Sequence, residues 1–206
     1  MKKLIVLLII LIGGALMAWG LLTFYLVDNF DDGAFSKWFS FDNVKLSIFK
    51  NPKLKTRDLV LESCGEYALK IKGVARDWYV GGVGTNLSVD TLNYSRFQLD
   101  LFGSRAGGKI KIELYEDDDK SGEIEQDAAM GWRPTRDDIW GVEIPLLGEG
   151  YTRYSIPFTA FTDSNPGVGN DIWGGTGSIL RVQLIFIAAS SEGSVDCAVD
   201  NIIFTY

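Results

Sequence analysis

The chain has 206 residues, a formal charge of −7 and 47% apolar residues. This size and composition suit one packed domain, alone or with a targeting segment, and exclude wholesale disorder. The sequence contains no histidine, which excludes Ser-His-Asp and Cys-His catalysis and every zinc site that uses histidine. The acidic surplus argues against a nucleic-acid partner, whose phosphates need a basic surface, and is compatible with divalent cations and neutral ligands.

The N-terminus combines two lysines with a long apolar run. Lys2 and Lys3 precede the segment 4–26, in which only Thr23 is clearly polar. As a helix, residues 4–22 would be roughly 28 Å long, close to the thickness of the hydrocarbon core of a membrane. The pattern predicts that residues 1–26 are a signal peptide, cleaved after Ala18, or a transmembrane anchor.

Both alternatives for this segment predict export of residues 27–206, because lysines before an apolar run stay in the cytoplasm. We therefore expect a periplasmic, cell-surface or extracellular domain, which a retained N-terminal helix would attach to the membrane. The two cysteines, Cys64 and Cys197, are too few for a Cys₄ zinc site. They are either one disulfide in an oxidising compartment or two buried thiols.

Short runs of β-forming residues, separated by turn residues, recur over 27–206. They predict an all-β fold, a two-sheet antiparallel β-sandwich of the jelly-roll type preceded by one hydrophobic N-terminal helix. The glycines of Gly81-Gly82-Val83-Gly84 lie within such a run and indicate a bulge or close packing. The predicted strands are 22–30, 44–49, 67–74, 78–84, 97–103, 109–116, 152–157, 180–188 and 195–205.

Polar and apolar residues alternate in four of these strands, which puts each polar set on one face of its strand. If the strands are neighbours, one sheet presents a polar face that could hold a sugar chain through hydrogen bonds and an aromatic ring. The alternative is an ordinary solvated face. The residues of this predicted face are Lys70, Gln98, Asp100, Lys111, Glu113, Tyr115, Arg181 and Gln183.

Three tryptophans lie in segments rich in Gly, Asp and Pro, namely Trp132, Trp140 and Trp173. Ligand sites combine an apolar lining with a few placed polar groups, and flat rings suit the C–H faces of pyranoses. We predict that these rings stack on sugar, with anchoring of loops into the core as the alternative.

Three local patterns resemble the β-jelly-roll of carbohydrate-binding modules, a galactose-binding-like fold. Residues 27–33 with Trp38 resemble the opening "DDFEDG…W" strand of family 11 modules and of the complex I intermediate-associated protein family. Residues 154–161 are similar to their "y-x-I-P-F-x-x-F" segment, and 199–204 to their closing "hDNIxh" strand. The resemblance covers nearly all of 27–206 and indicates the fold more specifically than the function.

The resemblance implies a structural calcium ion between the first and last strands. Asp31 and Asp200 occupy the acidic positions of those strands, and Asp31 replaces the usual Glu. Calcium takes carboxylate and backbone oxygens as ligands. The alternative for Asp31 is a solvated turn with Gly33.

A second acidic segment, 117–125, is similar to part of a calcium-binding EF-hand loop. Asp117, Asp119 and Ser121 fall at positions 1, 3 and 5, and Glu125 falls at position 9. Position 12 is Ala128, so the bidentate ligand is missing. We predict a degenerate calcium loop between strands, with a charged hairpin tip as the alternative.

These observations favour an exported, non-catalytic module that binds glycan and has a fold stabilised by calcium. The alternative is a structural or assembly subunit that holds a partner protein in an envelope, flagellar or membrane-bound complex. The third possibility is glycoside hydrolysis, which needs two carboxyls and no histidine. The candidate pair for this third possibility is Glu113 with Glu116 or Asp137. The favoured interpretation is non-catalytic and predicts no catalytic residue.

Overall fold

The computed structural model describes residues 24–52, 63–103, 106–146, 148–175 and 177–206. The predicted N-terminal helix lies outside these residues, as do the alternatives of cleavage and anchoring. No helix in the described ranges is long and apolar enough to cross a bilayer.

The chain forms a sandwich of two six-stranded antiparallel sheets, as the alternation predicts. The strands are β1 (Tyr25–Asp28), β2 (Phe39–Asp42), β3 (Val44–Lys50), β4 (Tyr67–Val74), β5 (Tyr79–Val89), β6 (Arg96–Phe102), β7 (Lys109–Glu116), β8 (Gln126–Asp127), β9 (Arg133–Pro134), β10 (Ile139–Pro145), β11 (Tyr151–Pro157), β12 (Thr162–Asp163), β13 (Ile179–Ile187) and β14 (Ser194–Thr205). Single 3₁₀ turns cover Thr91–Asn93, Ala128–Met130 and Phe158–Ala160.

Strand order separates the two sheets. Sheet A has the order β11-β6-β14-β4-β3, with β1 also paired to β14, and sheet B has the order β12-β10-β7-β13-β5-β2. The strands β8 and β9 form a small separate hairpin. Because consecutive strands such as β6 and β7 belong to different sheets, the chain crosses repeatedly between the layers.

The core lies between the sheets and is built by one face of each strand. In β7 the inward residues are Ile110, Ile112 and Leu114, and none of them is exposed to solvent. In sheet A the alternate residues of β6, Phe97, Leu99 and Leu101, are equally buried. Complete burial of a side chain of this size contributes about 1.5–3 kcal/mol, so the two inner faces stabilise the sandwich.

The predicted all-β sandwich is confirmed, and each predicted strand overlaps an observed one. Two strands that matter for the site, β2 and β10, were not predicted. Both carry alternating large apolar residues, but Gly141 interrupts one and the other has only four residues. The two thiols of Cys64 and Cys197 are buried and free.

The predicted polar face is not continuous, because its residues belong to two sheets. Those of β4 and β6 lie in sheet A, whereas those of β7 and β13 lie in sheet B. Alternation fixes which side of a strand faces water, but it does not determine which sheet the strand joins. The division leaves Lys70, Gln98 and Asp100 in sheet A, and Lys111, Glu113, Tyr115, Arg181 and Gln183 in sheet B.

Candidate functional site

The outer face of sheet B forms a groove with a volume of about 720 Å³. Strands β2, β5, β7 and β13 contribute to its surface, and the β8–β9 hairpin region borders it. The groove is lined by Phe39, Phe41, Asp42, Tyr79, Lys111, Glu113, Tyr115, Gln126, Gly131, Trp132, Arg133, Ile139, Ser164, Arg181, Gln183 and Ile185.

The floor of the groove is a pair of adjacent strands in register. Glu113 lies opposite Gln183, and Tyr115 lies opposite Arg181. Gln183 Nε2 donates to Glu113 Oε2 at 3.0 Å and to the Tyr115 hydroxyl at 3.1 Å. Lys111 Nζ lies 2.7 Å from Glu113 Oε1. Mutual hydrogen bonds fix these side chains in place, so the floor presents preorganised donors and acceptors.

Arg181 extends the polar floor toward the β8–β9 hairpin. Its Nε donates to Asn86 Oδ1 at 2.9 Å and its Nη1 to Gln126 Oε1 at 3.2 Å. The guanidinium lies 5.3 Å from the centres of the Phe39 and Tyr115 rings, within the range of a cation–π contact. Burial lowers the pKa of Arg181 and, with the charge of Glu113, raises that of Tyr115.

Glycines in β5 make room for the aromatic side of the groove. Phe41 pairs with Gly82 and Phe39 with Gly84 in the register of β2 and β5. A β-carbon at Gly82 would lie 2.3 Å from Phe41 Cζ, and one at Gly84 would lie 2.5 Å from Phe39 Cζ. The tips of the two rings therefore pack against Gly82 and Gly84, which explains the Gly81–Gly84 run by close packing.

Exposed rings flank the groove on two sides. Trp132 is 66% exposed, Tyr79 is 38% exposed and Phe39 is 37% exposed. Tyr79 is held by a hydrogen bond of 2.6 Å from its hydroxyl to Asp42 Oδ2. Of the three predicted tryptophans, Trp132 is the one that lines the groove.

Trp140 and Trp173 pack together on the inner side of sheet B and do not line the groove. Trp140 lies in β10, not in a loop, and its Nε1 donates to Glu116 Oε2 at 2.8 Å. The ring centres of Trp140 and Trp173 are 5.5 Å apart, and Trp173 is 4.6 Å from Phe158. Their prediction as stacking residues is therefore replaced by the alternative of core anchoring.

The three sheet A residues of the predicted face have other contacts. Lys70 pairs with Asp196 at 2.5 Å, and Gln98 is half-buried opposite Ile203. Asp100 is completely buried and accepts two hydrogen bonds from Arg153, at 2.8 and 2.7 Å. These positions are on the opposite side of the sandwich from the groove.

Sequence reasoning missed the residues that depend on β2 and on the loops. Phe39, Phe41 and Tyr79 supply rings, and Arg133 and Ser164 supply polar groups. The signal for Phe39 and Phe41 was present, because two aromatic residues at i and i+2 share one face of a strand. Nothing local to Ser164 indicates that its loop reaches the groove.

A cavity of similar size, about 740 Å³, lies at the edge formed by β3, β4 and the start of β14. Its lining includes Lys45, Lys72, Arg76 and Asp196, and contains no aromatic side chain. Because it offers no aromatic ring for stacking, its chemistry suits a saccharide less well than that of the groove.

An acidic cluster lies beside β7, in the segment predicted as a degenerate calcium loop. One carboxylate oxygen from each of Asp117, Asp119 and Asp137 lies within 4.8 Å of the others. Asp117 Oδ1, Asp137 Oδ2 and Glu125 Oε2 are buried and accept no hydrogen bond from the described part of the chain. Burial, followed by the charges of Glu125, Asp119 and Asp117, raises the pKa of Asp137 to about 7. We call Asp117, Asp119 and Asp137 the first cluster.

The first cluster contains two of the four predicted ligands, Asp117 and Asp119. Glu125 is outside this group of three carboxylates, and the Ser121 hydroxyl donates to Glu123 O at 3.0 Å within the turn. Asp137 joins from 20 residues downstream of Asp117, next to β10. Calcium takes carboxylate oxygens as ligands, and a buried carboxylate oxygen without a hydrogen-bond donor can be satisfied by an ion, so the residues fit calcium.

Asp31 and Asp200 have different surroundings. Asp31 is exposed and accepts a hydrogen bond of 2.8 Å from Asn29. Asp200 is completely buried, lies opposite Asp100, and accepts from Asn201 N at 2.7 Å. Burial, with a smaller contribution from the charge of Asp31, raises the pKa of Asp200 to about 7. Within the described ranges no group of three carboxylates includes either residue.

Comparison with known proteins supports the fold and gives no family assignment from sequence. No protein-family model and no curated protein sequence matches the chain. The fold is similar to a family 11 carbohydrate-binding module from Clostridium thermocellum, solved in complex with a β-1,3-1,4-mixed-linked tetrasaccharide. That match has a TM-score of 0.58 at 16% identity and covers 88% of this chain and 95% of the module.

Two further structures share the architecture. The family 11 module of the cellulosomal cellulase Lic26A-Cel5E of Clostridium thermocellum matches with a TM-score of 0.56 at 16% identity, over 89% of this chain and 95% of the module. An exo-β-agarase matches with a TM-score of 0.56 at 12% identity, over 88% of this chain and 25% of the enzyme chain. The resemblance to the carbohydrate-binding-module type of β-sandwich is thus confirmed at the level of the fold.

Proposed function

We propose that this protein is a non-catalytic module that binds a glycan chain in the groove of sheet B. The observation that carries the proposal is the combination of exposed rings with a fixed floor of hydrogen-bonding groups. Trp132, Phe39 and Tyr79 offer apolar faces, and Glu113, Gln183 and Lys111 offer donors and acceptors. A module with a similar fold was solved with an oligosaccharide, which supports the same ligand class here.

The carboxylates of the candidate catalytic pair support a binding role over hydrolysis. Glu113 points into the groove, whereas Glu116, three residues along β7, faces the interior and accepts a hydrogen bond from Trp140. Glycoside hydrolysis needs two carboxyls on either side of one glycosidic bond. A sheet separates these two, and Asp137 belongs to the first cluster.

Glycan binding is tested on the full-length chain with a glycan array, followed by affinity measurements on the best ligand. Trp132→Ala is expected to weaken binding at least about tenfold, or ~1.4 kcal/mol, because an exposed ring that stacks is a binding anchor. The matched control is Trp78→Ala, since Trp78 is 48% exposed and does not line the groove. Absence of binding to any glycan, or equal losses in the two variants, would contradict the proposal.

We also propose that a calcium ion at the first cluster stabilises the fold. The support is the set of buried carboxylate oxygens of Asp117, Asp137 and Glu125 that lack hydrogen-bond donors. Calcium should raise the melting temperature of the full-length chain, and Asp119→Asn should reduce both that rise and the amount of bound calcium. An unchanged melting temperature with calcium in excess would rule this ion out.

Export of the domain remains a proposal that the sequence supports through Lys2, Lys3 and the apolar run after them. It is tested by cell fractionation and by the mass of the recovered protein. A mass that corresponds to residues 19–206 would indicate a cleaved signal peptide. The mass of the uncleaved chain, found in the membrane fraction, would indicate an anchor. Recovery of the intact chain with the cytoplasmic proteins would refute export.

A further inference from the structure

A second group of carboxylates lies near the first cluster, since Asp138 follows Asp137 in the chain. One oxygen from each of Asp138, Asp163 and Asp171 lies within 4.8 Å of the others. We call this group the second cluster. Asp138 precedes β10, Asp163 is the last residue of β12, and Asp171 lies in the loop before β13.

The second cluster contains a buried carboxylate oxygen with no partner. Asp138 is not exposed to solvent, and its Oδ1 accepts no hydrogen bond from the described residues. Its other oxygen accepts from Asn170 N at 3.3 Å. No ion pair between described residues includes Asp138, Asp163 or Asp171. Burying an unpaired carboxylate is costly, so this oxygen indicates a cation that the protein chain itself does not provide.

Asp118 adds a fourth carboxylate next to Asp138. Its Oδ2 accepts from Asp138 N at 2.8 Å, and its Oδ1 accepts from the Asn170 side chain. The backbone of Gly169 closes over both acids, because a β-carbon there would lie 2.4 Å from Asp118 Oδ2 and 2.4 Å from Asp138 Oδ1. The loop 164–175 thus brings backbone atoms to the acidic group, and backbone carbonyls are common ligands of calcium.

We propose that Asp138, Asp163 and Asp171, with Asp118 beside them, bind a second divalent cation of the size of Ca²⁺, separate from the ion at the first cluster. Oxygens bound to one Ca²⁺ at about 2.4 Å lie at most ~4.8 Å apart, and no two of the grouped oxygens of Asp138, Asp163 and Asp171 are farther apart than this. Adjacent acids contribute to different clusters, because Asp117 and Asp137 belong to the first, whereas Asp138 belongs to the second and Asp118 lies beside it.

The second ion would connect a loop to the rim of the groove. Ser164, next to Asp163, lines the groove, and the Asn165 side chain accepts from Ile139 N at 2.6 Å and donates to Asp137 O at 2.8 Å. The ion therefore has a role beyond general stability, which is to hold β12 and the loop 164–175 against β10.

The test uses variants that remove charge and keep the local hydrogen bonds. Asp163 accepts from Asn165 N and Asp171 accepts from Gly167 N, each at 2.8 Å, and asparagine retains both acceptors. Calcium binding to the full-length chain is counted by calorimetry and equilibrium dialysis. Asp163→Asn with Asp171→Asn should bind one ion fewer than the unaltered chain, and adding Asp119→Asn should remove another. The control, Asp77→Asn with Glu192→Gln, removes two exposed charges outside both clusters and should bind the full number.

The melting temperature gives an independent readout. In excess chelator the double variant should melt at or above the temperature of the unaltered chain, because it relieves repulsion between carboxylates. In calcium the order should reverse. Unchanged calcium stoichiometry and affinity in the double variant would overturn the proposal. If variants of either cluster lose the same single ion, the two clusters share one ion and the proposal of a separate second ion is wrong. If the double variant does not fold, Asp171→Asn alone, at an exposed position, must still weaken calcium binding for the proposal to hold.

Discussion

Charged residues at outward positions have different surroundings in the two sheets of this sandwich. Asp100 and Lys111 follow the same alternation pattern, yet one is sealed beneath Arg153 and the other borders an open groove. The difference arises from residues distant in sequence, since Arg153 lies on the neighbouring strand β11. The alternation of polar and apolar residues therefore identified the outward positions. The neighbouring strand in the sheet then determined whether such a position is covered or open to solvent.

Arg153 is expected to matter for stability and not for glycan binding. Arg153→Met leaves the Asp100 carboxylate buried without its cation, which should lower the free energy of unfolding by about 3 kcal/mol. Adding Asp100→Asn removes the uncompensated charge and should recover part of that loss. Chemical denaturation measures both changes. Affinity for the glycan should stay unchanged, and a loss of affinity with the fold intact would instead place a binding surface on sheet A.

Asp200 should make stability depend on pH when calcium is chelated. Its pKa is about 7 in the fold, compared with the ordinary value of 3.8, so between these values the folded chain holds a proton that the unfolded chain has released. Stability should therefore fall as the pH rises from about 4 to about 7, by about 2–4 kcal/mol at about 1.4 kcal/mol per pKa unit.

Asp200→Asn tests this pH dependence because its side chain does not titrate. Denaturation curves across this range should be flatter for the variant than for the unaltered chain. Asp32→Asn, at an exposed carboxylate, is the matched control and should keep the original slope. Equal slopes in Asp200→Asn and the unaltered chain would show that Asp200 is ionised throughout.

At the level of strands, the sequence determined the inner and outer faces better than it determined neighbours. The alternation of Ile110, Ile112 and Leu114 predicted the core face of β7 because period two is a local property. The pairing of β7 with β13 and β10 depends on chain crossings that no short segment encodes. For the same reason the predicted acidic loop lacked Asp137, which only the pairing of β10 with β7 brings beside Asp117.

The pairing of β2 with β5 positions the Phe39 ring at the groove, and a substitution at Gly84 tests this. Gly84→Ala places a β-carbon 2.5 Å from the tip of the Phe39 ring, so the ring must move away from the groove wall. We expect a loss of glycan affinity of about fivefold with less than about 1 kcal/mol of lost stability, because an exposed ring on an edge strand moves at low cost.

A double-mutant cycle with Phe39→Ala separates this steric effect from others. Once the ring is removed, Gly84→Ala should cause little further loss of affinity. Gly82→Ala serves as a comparison and should cost more stability, because its β-carbon would also lie 2.9 Å from the backbone oxygen of Leu184. Additive losses for Gly84→Ala and Phe39→Ala would contradict the proposed contact.

At the scale of the whole molecule, the acidic surplus is concentrated where loops meet the edge of sheet B. The chain has 27 acidic and 20 basic residues, and six of the aspartates form the two clusters. Composition alone was compatible with divalent cations. Only the fold shows that these carboxylates lie next to strands that also build the groove of sheet B.

This proximity predicts that cations and glycan bind with coupled free energies. Removing calcium should free the loop 164–175 and shift Ser164 and Ile139 at the rim, so glycan affinity should fall about fivefold or more. Because coupling is reciprocal, saturating glycan must tighten calcium binding by the same factor. Calorimetric titrations in both orders measure the two factors.

The double variant Asp163→Asn with Asp171→Asn identifies the cluster responsible for this coupling. If the second cluster transmits it, the variant should bind glycan with the reduced affinity of the calcium-free chain, whether or not calcium is added. If the variant still gains glycan affinity on addition of calcium, the first cluster carries the coupling through Asp137 and Asn165. Equal glycan affinity of the unaltered chain with and without calcium would limit both ions to a structural role, because an ion that binds the free and the liganded protein equally cannot change the affinity of the groove.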